Sequence, residues 1–459
     1  MKKYAFVYLF LLITFFNISC KKNVTDTSEN FVYLNYELNV PDSLNPEIQI
    51  YLLPEDGNSL FIQNHDFNKE IFWQKILNQT VLPYKVFELK NLKGRLNVER
   101  TNEDFYIITK LSTGAFLLDF ISKDSLNKKI FIYDYNVITK DTWAIDVRRN
   151  EIVEVVEDIN YDKQLSLGSH ASLIIRDNIS LTLNERLSIT SDDDMTTISA
   201  PFGSISNSKI TIHSSPHFEN VIINGIKNGV HLNNQDVMSF QFEHLNIFNC
   251  DTGMVIEEGG FGARIFNGCA ISNCIKIGLL SKGSSVNKVK NSFISNNSIG
   301  IKSVVNNSFL IDNSLVENNY IGFFPSNGIN SIVQSNFEKN NYGVSVNTDY
   351  LNVTKSNFLE NDIAIEFNLN EIEEKLYFSS ANVDSSNFIN NDIHISVFGT
   401  NAVNPHNNGQ LPAVDSVQNF SSNYWGSIDT SYINQKIINP EFINYIPFLN
   451  EEQTTAGVE

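Results

Sequence analysis

A large apolar residue followed three places later by asparagine recurs along the second half of the chain, between Phe242 and Gly426. The column extends over eight asparagines, which are successively 24, 23, 22, 22, 21, 30 and 32 residues apart. They are Asn249, Asn273, Asn296, Asn318, Asn340, Asn361, Asn391 and Asn423. Most units continue with a short apolar run, as in Ser298-Ile299-Gly300-Ile301. Self-similarity at this period predicts a solenoid, in which each unit packs against its neighbours.

Two solenoid classes share this period, the leucine-rich repeats and the parallel β-helices. Leucine is sparse in the repeat, where Phe, Ile and Val occupy the apolar places, so the pattern favours three short strands per coil and a β-helix. Asparagine suits the bends because it tolerates a left-handed backbone, and stacked amides can hydrogen-bond along the axis. We therefore expect the eight asparagines to form a structural ladder.

The chain before the repeat has a different pattern. Between residues 31 and 140, short apolar or alternating runs are separated by turn residues such as Pro54-Glu55-Asp56-Gly57. About six strands predict a small antiparallel, sandwich-like β-rich domain. Apolar residues at helical spacing from Glu70 to Gln79 predict one helix between the strands.

Weaker strand alternation extends the predicted β-helix to residues 141–430, followed by a closing segment and tail over residues 431–459. The open ends of a β-helix expose unpaired strand edges that invite polymerisation. We therefore expect the N-terminal domain to flank or shield the first coil. The residues expected to close the last coil are Ile443, Pro447 and Phe448.

The extreme N-terminus has the pattern of an export signal, in which two lysines precede an apolar run from Tyr4 to Phe16. The run is followed by Asn17-Ile18-Ser19-Cys20, which resembles the lipobox of bacterial lipoproteins. The resemblance implies a signal peptide over residues 1–19, lipidation of Cys20 and a polar tether over residues 20–30. The protein would then be held on a membrane of the bacterial cell envelope by its acyl chains. An ordinary secretory signal and an unremoved anchor are the alternatives.

Two stretches of the repeat carry a more specific resemblance, namely Asn291 to Ile301 and Ser422-Asn423-Tyr424-Trp425-Gly426-Ser427. Both resemble the right-handed parallel β-helix repeats of the pectin-lyase-like superfamily. The resemblance implies a right-handed solenoid in an all-β chain. Enzymes of that superfamily cut acidic polysaccharides by β-elimination or hydrolysis, so the resemblance makes an acidic glycan a candidate substrate.

Composition narrows the possible partners. The 459 residues include 33 basic and 52 acidic side chains, which gives a formal net charge of −19. Nucleic-acid binding needs a basic surface that releases counterions, so we expect no nucleic-acid partner. Beyond Cys20, the three cysteines are too few for a disulfide framework, and their spacing indicates no zinc or other metal. Cys250 and Cys274 should stack on adjacent coils, either as free thiols or as a disulfide.

Candidate chemistry is sparse. Asn347-Thr348-Asp349 is similar to the first motif of the polygalacturonases, but the Asp-Asp, Gly-His-Gly and Arg-x-Lys motifs that should accompany it are absent. Loops inserted after the Gly-Ile strands can wall a cleft, in which aromatic faces stack on sugar rings and cations bind carboxylates. The candidate ligand-binding residues are Arg264, Lys282, Phe324 and Tyr350. Lys290 and Asp312 should form a surface ion pair across consecutive coils.

These observations favour a lipid-anchored cell-envelope protein whose β-helix is a non-catalytic scaffold for a glycan or a surface protein. We expect a monomer with no cofactor. The first alternative is a polysaccharide lyase, hydrolase or epimerase acting on an acidic glycan, which requires cations and carboxylates converging in one groove. The second alternative is a structural or adhesive stalk.

Overall fold

The computed structural model describes residues 31–53, 67–99, 103–121, 130–142, 145–185, 187–189, 195–214, 216–233, 239–257, 262–283, 286–304, 307–326, 328–347, 350–368, 370–372, 375–377, 380–397 and 418–458. These residues form an all-β chain with a parallel β-solenoid of about 11 turns and a small antiparallel sheet. The fold class predicted from the repeat is therefore confirmed. Residues 1–30, including Cys20, lie outside the described residues, as do the turn at 54–57 and most of the 347–349 motif.

Successive coils contribute strands to three parallel stacks, which we call sheets 1, 2 and 3. Sheet 1 contains Phe31–Asn39, Ile130–Ile138, Glu151–Val155, Ser172–Ile175, Thr196–Ser199, His217–Asn224, Phe240–Phe248, Ala270–Ser272, Phe293–Ser295, Leu315–Glu317, Asn336–Glu338, Asn357–Leu359 and Asn387–Ile389. Lys93–Glu99 extends sheet 1 at its first strand and pairs antiparallel with Phe31–Asn39. Sheet 2 contains Ile145–Val147, Leu165–Leu167, Leu187–Ile189, the first parts of His217–Asn224 and Phe240–Phe248, Ala263–Asn267, Val286–Lys290, Ser308–Asp312, Ile329–Val333, Tyr350–Thr354, Ser380–Asp384, Gln418–Asn419 and Ile443–Asn444. Sheet 3 contains Ile159–Tyr161, Ser180–Leu183, Ser206–Ile212, Ile226–Leu232, Thr252–Ile256, Ile277–Ser281, Ile299–Ser303, Ile321–Phe324, Tyr342–Val346, Ile363–Phe367, Ile393–Val397 and Ile437–Ile438.

One hydrophobic core fills the solenoid from Ile138 to Tyr445. The parallel register places like residues over one another, so that Phe337, Phe358 and Phe388 stack with ring centroids 5.4 and 5.0 Å apart. Trp425 continues this stack 4.7 Å above Phe388. Period-2 alternation within each strand therefore builds the core from inward side chains, and leaves the outer faces for other contacts.

Two inward ladders of polar side chains run through the corners of the coils. In the amide ladder, each backbone N–H donates to the side-chain oxygen of the next member at 2.9 or 3.0 Å. Its members are Cys274, Asn297, Asn319, Asn340, Asn361 and Asn391. In the serine ladder, backbone N–H groups donate to serine hydroxyls at 3.1 to 3.3 Å. Its members are Cys269, Ser292, Ser314, Ser335, Ser356 and Ser386, and it ends at Asn423.

The amide ladder is offset from the asparagine column that the sequence predicts. Asn340, Asn361 and Asn391 lie in the ladder, whereas Asn423 accepts from Ser386 N–H at 2.8 Å and so ends the serine ladder. The remaining four occupy the preceding corner position, with left-handed φ angles of 53 to 57°. They are Asn249, Asn273, Asn296 and Asn318. A side chain at that corner points away from the core, so the next residue fills the inward place.

Cys250 and Cys274 lie on adjacent coils as buried free thiols. Burial and the hydrogen bond with Cys274 raise the pKa of the Cys250 thiol well above its usual value, so this thiol stays protonated. The sequence left open whether the two cysteines are free thiols or form a disulfide, and in the structure they are free thiols.

The N-terminal domain packs on the flank of the first coils. Its antiparallel sheet 4 has the strand order Lys85–Glu88, Glu47–Leu52, Phe105–Lys110, Phe116–Ile121. Helix α1, Phe67–Leu77, packs on this sheet through Trp73 and Tyr106, whose ring centroids are 5.7 Å apart. The domain shares one core with outward residues of sheet 1 such as Ile174 and Phe248. A buried hydrogen bond crosses the contact, with His170 Nε2 donating to Asp119 Oδ1 at 3.0 Å.

The C-terminal end of the solenoid, which we call its upper end, is closed by short elements of secondary structure. They are helix α2 (Thr430–Gln435), the strand Ile437–Ile438, a 3-10 turn (Pro440–Phe442) and the strand Ile443–Asn444. Ile443 is buried and Phe448 packs partly buried against the core. The Pro447 carbonyl accepts from Ser422 N–H at 2.6 Å. The remaining elements are a 3-10 turn at Asp42–Leu44 and a hairpin of Asn370–Ile372 with Lys375–Tyr377. Neither described helix is long and apolar enough to cross a bilayer.

Candidate functional site

Two parts of the chain cover the outer face of sheet 1. Over the lower coils, Asn78 Nδ2 donates to Asn249 Oδ1, and Asn273 Nδ2 donates to Gln74 Oε1, each at 2.9 Å. Over the upper coils, residues 450–458, which we call the strap, lie along the same face. While both parts are in place, a ligand of the solenoid meets sheet 2 or sheet 3 rather than sheet 1.

The outer face of sheet 3 carries a mixed column of side chains in exact strand register. From the lower to the upper coils the column contains His231, Val255, Leu280, Lys302 and Phe324. At about 4.8 Å per coil, its four steps span roughly 19 Å. Lys302 Nζ lies 5.3 Å from the centroid of the Phe324 ring, within the range of a cation–π contact. The column therefore has an imidazole at its lower end and a cation beside an aromatic ring at its upper end.

A second column lies beside the first on the same face. It contains Ile277, Ile299, Ile321 and Tyr342 in register. At its margin the Tyr320 ring packs edge-on against Tyr342 at 5.6 Å, and Tyr320 and Ile275 remain 54% and 63% exposed. Exposed apolar side chains that are contiguous rather than scattered mark interaction surfaces. We call these two columns and their margin the sheet-3 face.

Polar groups border the sheet-3 face at the corner before each strand. Lys276 Nζ donates to Asp251 Oδ2 at 2.8 Å, and Asn341 Nδ2 donates to Asp362 Oδ2 at 2.6 Å. Hydroxyl-rich ligands need such donors and acceptors beside apolar rings. The arrangement can therefore hold a ligand that is apolar on one side and hydroxylated at its edges.

Three ionisable side chains meet at the lower margin of the sheet-3 face. Glu257 Oε1 accepts from His231 Nε2 at 3.1 Å and from Lys282 Nζ at 2.8 Å. Glu257 and Lys282 directly follow neighbouring strands of sheet 3, so the register of the coils brings them together. We call these residues the ionic trio.

The pKa values within the ionic trio are displaced in a consistent way. Burial lowers the pKa of His231, and this effect exceeds the opposite effect of its hydrogen bond with Glu257. Burial acts to raise the pKa of Glu257, but the hydrogen bond and charge of Lys282 outweigh it and lower that pKa. At neutral pH the His231 imidazole is thus neutral and Glu257 is a carboxylate. A neutral imidazole oriented by a carboxylate is the arrangement of a general base.

Arg264 lies apart from the ionic trio. It is 3% exposed on the inner side of its sheet 2 strand, with its guanidinium 5.8 Å from the Phe240 ring centroid. Burial lowers its pKa to about 10, so it stays charged at neutral pH. Among the described residues, its Nη1 has no hydrogen-bond partner. Of the two candidate cations, Lys282 thus lies beside a carboxylate of the ionic trio, whereas Arg264 is buried in sheet 2.

The other sequence candidates divide between two faces. Phe324 lies on the sheet-3 face, whereas Tyr350 begins a strand of sheet 2, in register with Ile329. Lys290 and Asp312 form the predicted ion pair on consecutive coils, at 3.1 Å, which confirms that prediction. Within the described ranges, no group of three or more His, Cys, Asp or Glu side chains is arranged to hold a metal ion.

Sequence reasoning did not select His231, Glu257, Lys302, Tyr320 or Tyr342. For His231 and Lys302, the signal that could have found them is the glycine two residues earlier in the sheet 3 strands, which recurs at Gly229, Gly278, Gly300 and Gly322. These glycines lie directly over one another in the stacked coils. A Cβ on Gly300 would lie only 2.5 Å from the Gly322 carbonyl oxygen, so the coils leave no room for a side chain there. Counting two residues from each glycine aligns Leu280, Lys302 and Phe324 in one outward column.

One solved structure is similar, described as "Crystal structure of pectate lyase Pel9A", at 13% sequence identity and a TM-score of 0.31. The similarity covers 52% of this chain and 72% of that chain. A likeness at this score carries no argument about activity. No protein-family model matches the chain, and no curated protein matches it. The class is defined by the fold itself: the chain is a parallel β-solenoid protein.

Proposed function

We propose that this protein is a cell-envelope scaffold that binds a glycan on its sheet-3 face. The observation that carries the proposal is the edge-on pair of Tyr320, which is 54% exposed, and the half-buried Tyr342. The pair is set on a rigid sheet that also carries the half-buried Phe324 and Leu280, and hydrogen-bonding groups border it. Aromatic faces contribute apolar area with little loss of side-chain freedom, and the bordering amides and carboxylates satisfy hydroxyl groups. A purely structural stalk has no need of such a surface.

The proposal includes a lipid anchor at Cys20 on an envelope membrane and a chain that binds the glycan as a monomer. The apolar N-terminal run and the residues before Cys20 support the anchor, and the polar residues 21–30 would give the solenoid reach above the bilayer. A net charge of −19 disfavours nucleic acid as the ligand. Incorporation of a labelled fatty acid tests the anchor, and Cys20→Ala should abolish the label and release the protein into the soluble fraction.

A glycan array followed by titration calorimetry tests binding. We expect one glycan class to bind the purified chain, and Phe324→Ala and Tyr320→Ala to weaken it by about tenfold or more, as for truncation of an aromatic anchor. Tyr350→Ala is the matched control, because Tyr350 lies on sheet 2, and it should bind as the unaltered chain does. Absence of binding to every glycan, or equal weakening by all three substitutions, would contradict the proposal.

The ionic trio favours a second candidate, an enzyme that cuts an acidic glycan by β-elimination. His231 would act as the base, while Lys282 would attract the glycan carboxylate. Ultraviolet absorbance of the unsaturated ends formed from uronate polymers measures this activity. An absorbance increase that is lost in His231→Ala and kept in His213→Ala would establish the enzyme. His213 is a suitable control, because its Nδ1 bonds the Asn233 carbonyl at 2.8 Å, outside the ionic trio.

A further inference from the structure

The strap is bound by a row of outward amides on sheet 1. Asn387 holds Gln453 at both backbone groups, because its Oδ1 accepts from Gln453 N–H at 2.8 Å and its Nδ2 donates to the Gln453 carbonyl at 2.9 Å. One coil below, Asn357 Nδ2 donates to the Ala456 carbonyl at 3.2 Å. Recognition through main-chain groups is how proteins bind extended peptides.

The row of amides ends in an apolar depression. Val458 N–H donates to Asn336 Oδ1 at 3.3 Å, and the Val458 side chain packs on a small cluster of Ala270, Phe293 and Leu315. These cluster residues share the outward column of sheet 1 with Asn336. One surface column therefore combines main-chain recognition with a pocket for one β-branched side chain.

The position of Gly457 restricts which peptide sequences this surface can bind. Its φ of +91° lies in the left-handed region, and a Cβ there would come within 3.0 Å of both the Asn357 and the Asn336 amides. Any other residue would be strained and would also collide with the amide row. The surface therefore selects glycine followed by valine, rather than any extended segment.

The strap is held by hydrogen bonds and buries little apolar surface. Glu451, Glu452, Thr454 and Thr455 are exposed, and Val458 is its apolar contribution to the packed cluster. Segments with so little buried apolar area open locally at low free-energy cost. A strap that opens leaves a surface with the same complementarity toward an identical segment on another molecule, which is the basis of segment exchange between protomers.

We propose that this outward column of sheet 1, from Asn387 to Ala270, is a peptide-binding groove that accepts the strap of a second copy of this chain. The recognised element is the Ala456-Gly457-Val458 motif. In the single molecule the groove is filled in cis, so that pairing requires the strap of the accepting copy to be displaced. This groove is separate from the sheet-3 face, and does not depend on the glycan-binding proposal.

A fluorescent peptide of residues 450–458 tests the groove on the full-length chain. Gly457→Val in the chain should detach its own strap without touching the groove. The peptide should then bind saturably to this variant by fluorescence anisotropy, and at least about tenfold more weakly to the unaltered chain, whose groove is occupied. The control peptide carrying Ala in place of Gly457 should fail to bind. No saturable binding, or equal binding of the control peptide, would overturn the groove.

A mixing experiment tests the second copy as the occupant. Asn357→Leu removes the central amide from the groove while leaving the strap sequence intact, so this variant is a donor. The Gly457→Val chain is the acceptor. In sedimentation velocity each variant alone should be a monomer, and the equimolar mixture should contain a two-chain complex. If the peptide binds the acceptor but the two chains stay separate, the second copy is excluded as the occupant.

Discussion

Replacing Asn319 by alanine tests whether the amide ladder holds the coils together. The buried Asn319 Oδ1 accepts from the backbone N–H and the Nδ2 of Asn297 at 2.9 and 3.1 Å. Its Nδ2 donates to Asn340 Oδ1 and to the Ile294 carbonyl, each at 3.1 Å, and to the Glu317 carbonyl at 2.8 Å. Alanine removes these five hydrogen bonds, and the buried Asn297 N–H loses its acceptor.

The expected loss follows from which groups lose a partner. A buried donor without an acceptor costs about 1–3 kcal/mol, whereas a bond whose other partner stays satisfied is worth about 1 kcal/mol or less. The Asn297 Nδ2 group keeps the Ile271 carbonyl, and the Glu317 carbonyl keeps the Asn296 N–H. We therefore expect Asn319→Ala to lower the free energy of unfolding by about 2–4 kcal/mol.

The neighbouring residue provides the matched control. Asn318 is exposed at a left-handed φ of 53°, a backbone conformation that glycine adopts freely. Asn318→Gly should change stability by no more than about 0.5 kcal/mol. Urea titration followed by circular dichroism measures both variants, and hydrogen exchange of residues 293–323 shows whether the affected coil is the one that opens. Equal losses in the two variants would refute the inward ladder.

Three further predictions concern the same coils. Gly300→Ala should cost at least about 2 kcal/mol in urea titration, because its Cβ would press on the Gly322 carbonyl of the next coil; an unchanged midpoint would show that the coils can separate. Burial raises the pKa of Glu338. Burial also raises the pKa of Glu317, and the negative charge of Glu338 raises it further. Stability is therefore lost as pH rises through these raised values, so Glu338→Gln should increase the melting temperature at pH 7 and lose this advantage near pH 4. Cys274→Ser should cost about 1 kcal/mol or less in urea, because both thiols are free; a loss of several times that size would indicate a bond between the cysteines.

The repeat was sufficient to predict the solenoid, because each coil makes its contacts with the next coil. A period near 22 residues, short β-branched runs and polar corners all follow from stacking three strands per turn. The outward pair Lys290 and Asp312 could be predicted for the same reason, since equivalent positions on consecutive coils lie side by side. Structural features that depend only on the repeat period could therefore be predicted from the sequence.

The asparagine column alone did not show which residue of each coil points inward and joins the amide ladder. Some coils carry consecutive asparagines at this place, such as Asn296-Asn297 and Asn318-Asn319, and the period is equally consistent with either asparagine of each pair. In the upper coils the corner residue is Lys339 or Glu360, and the asparagine remains at the inward place. An alignment on the glycine three residues later would have placed Asn319 and Asn340 at the same inward position. The stacked glycines fix this alignment, because no residue with a side chain fits where they lie.

Contacts outside the repeat could not be predicted by any periodicity. The strap meets Asn387 across 66 residues and Asn336 across 122 residues of sequence. Helix α1 reaches Asn273 across 199 residues. These segments bind through main-chain groups and single amide pairs, which leave no recurring pattern in the sequence. The covering of sheet 1 therefore had to be read from the structure.

That covering decides where a ligand can bind. Sheets 1 and 3 both present outward columns, but sheet 1 buries its lower columns under the N-terminal domain and its upper ones under the strap. Sheet 3 leaves Tyr320 and Ile275 more than half exposed, although burying them would stabilise the chain. An apolar surface left open on a chain that covers its neighbour is better explained by an external partner than by incomplete packing. The ionic trio lies at the lower margin of that open surface, so a glycan bound across the rings of Phe324 and Tyr320 would extend toward the neutral imidazole of His231.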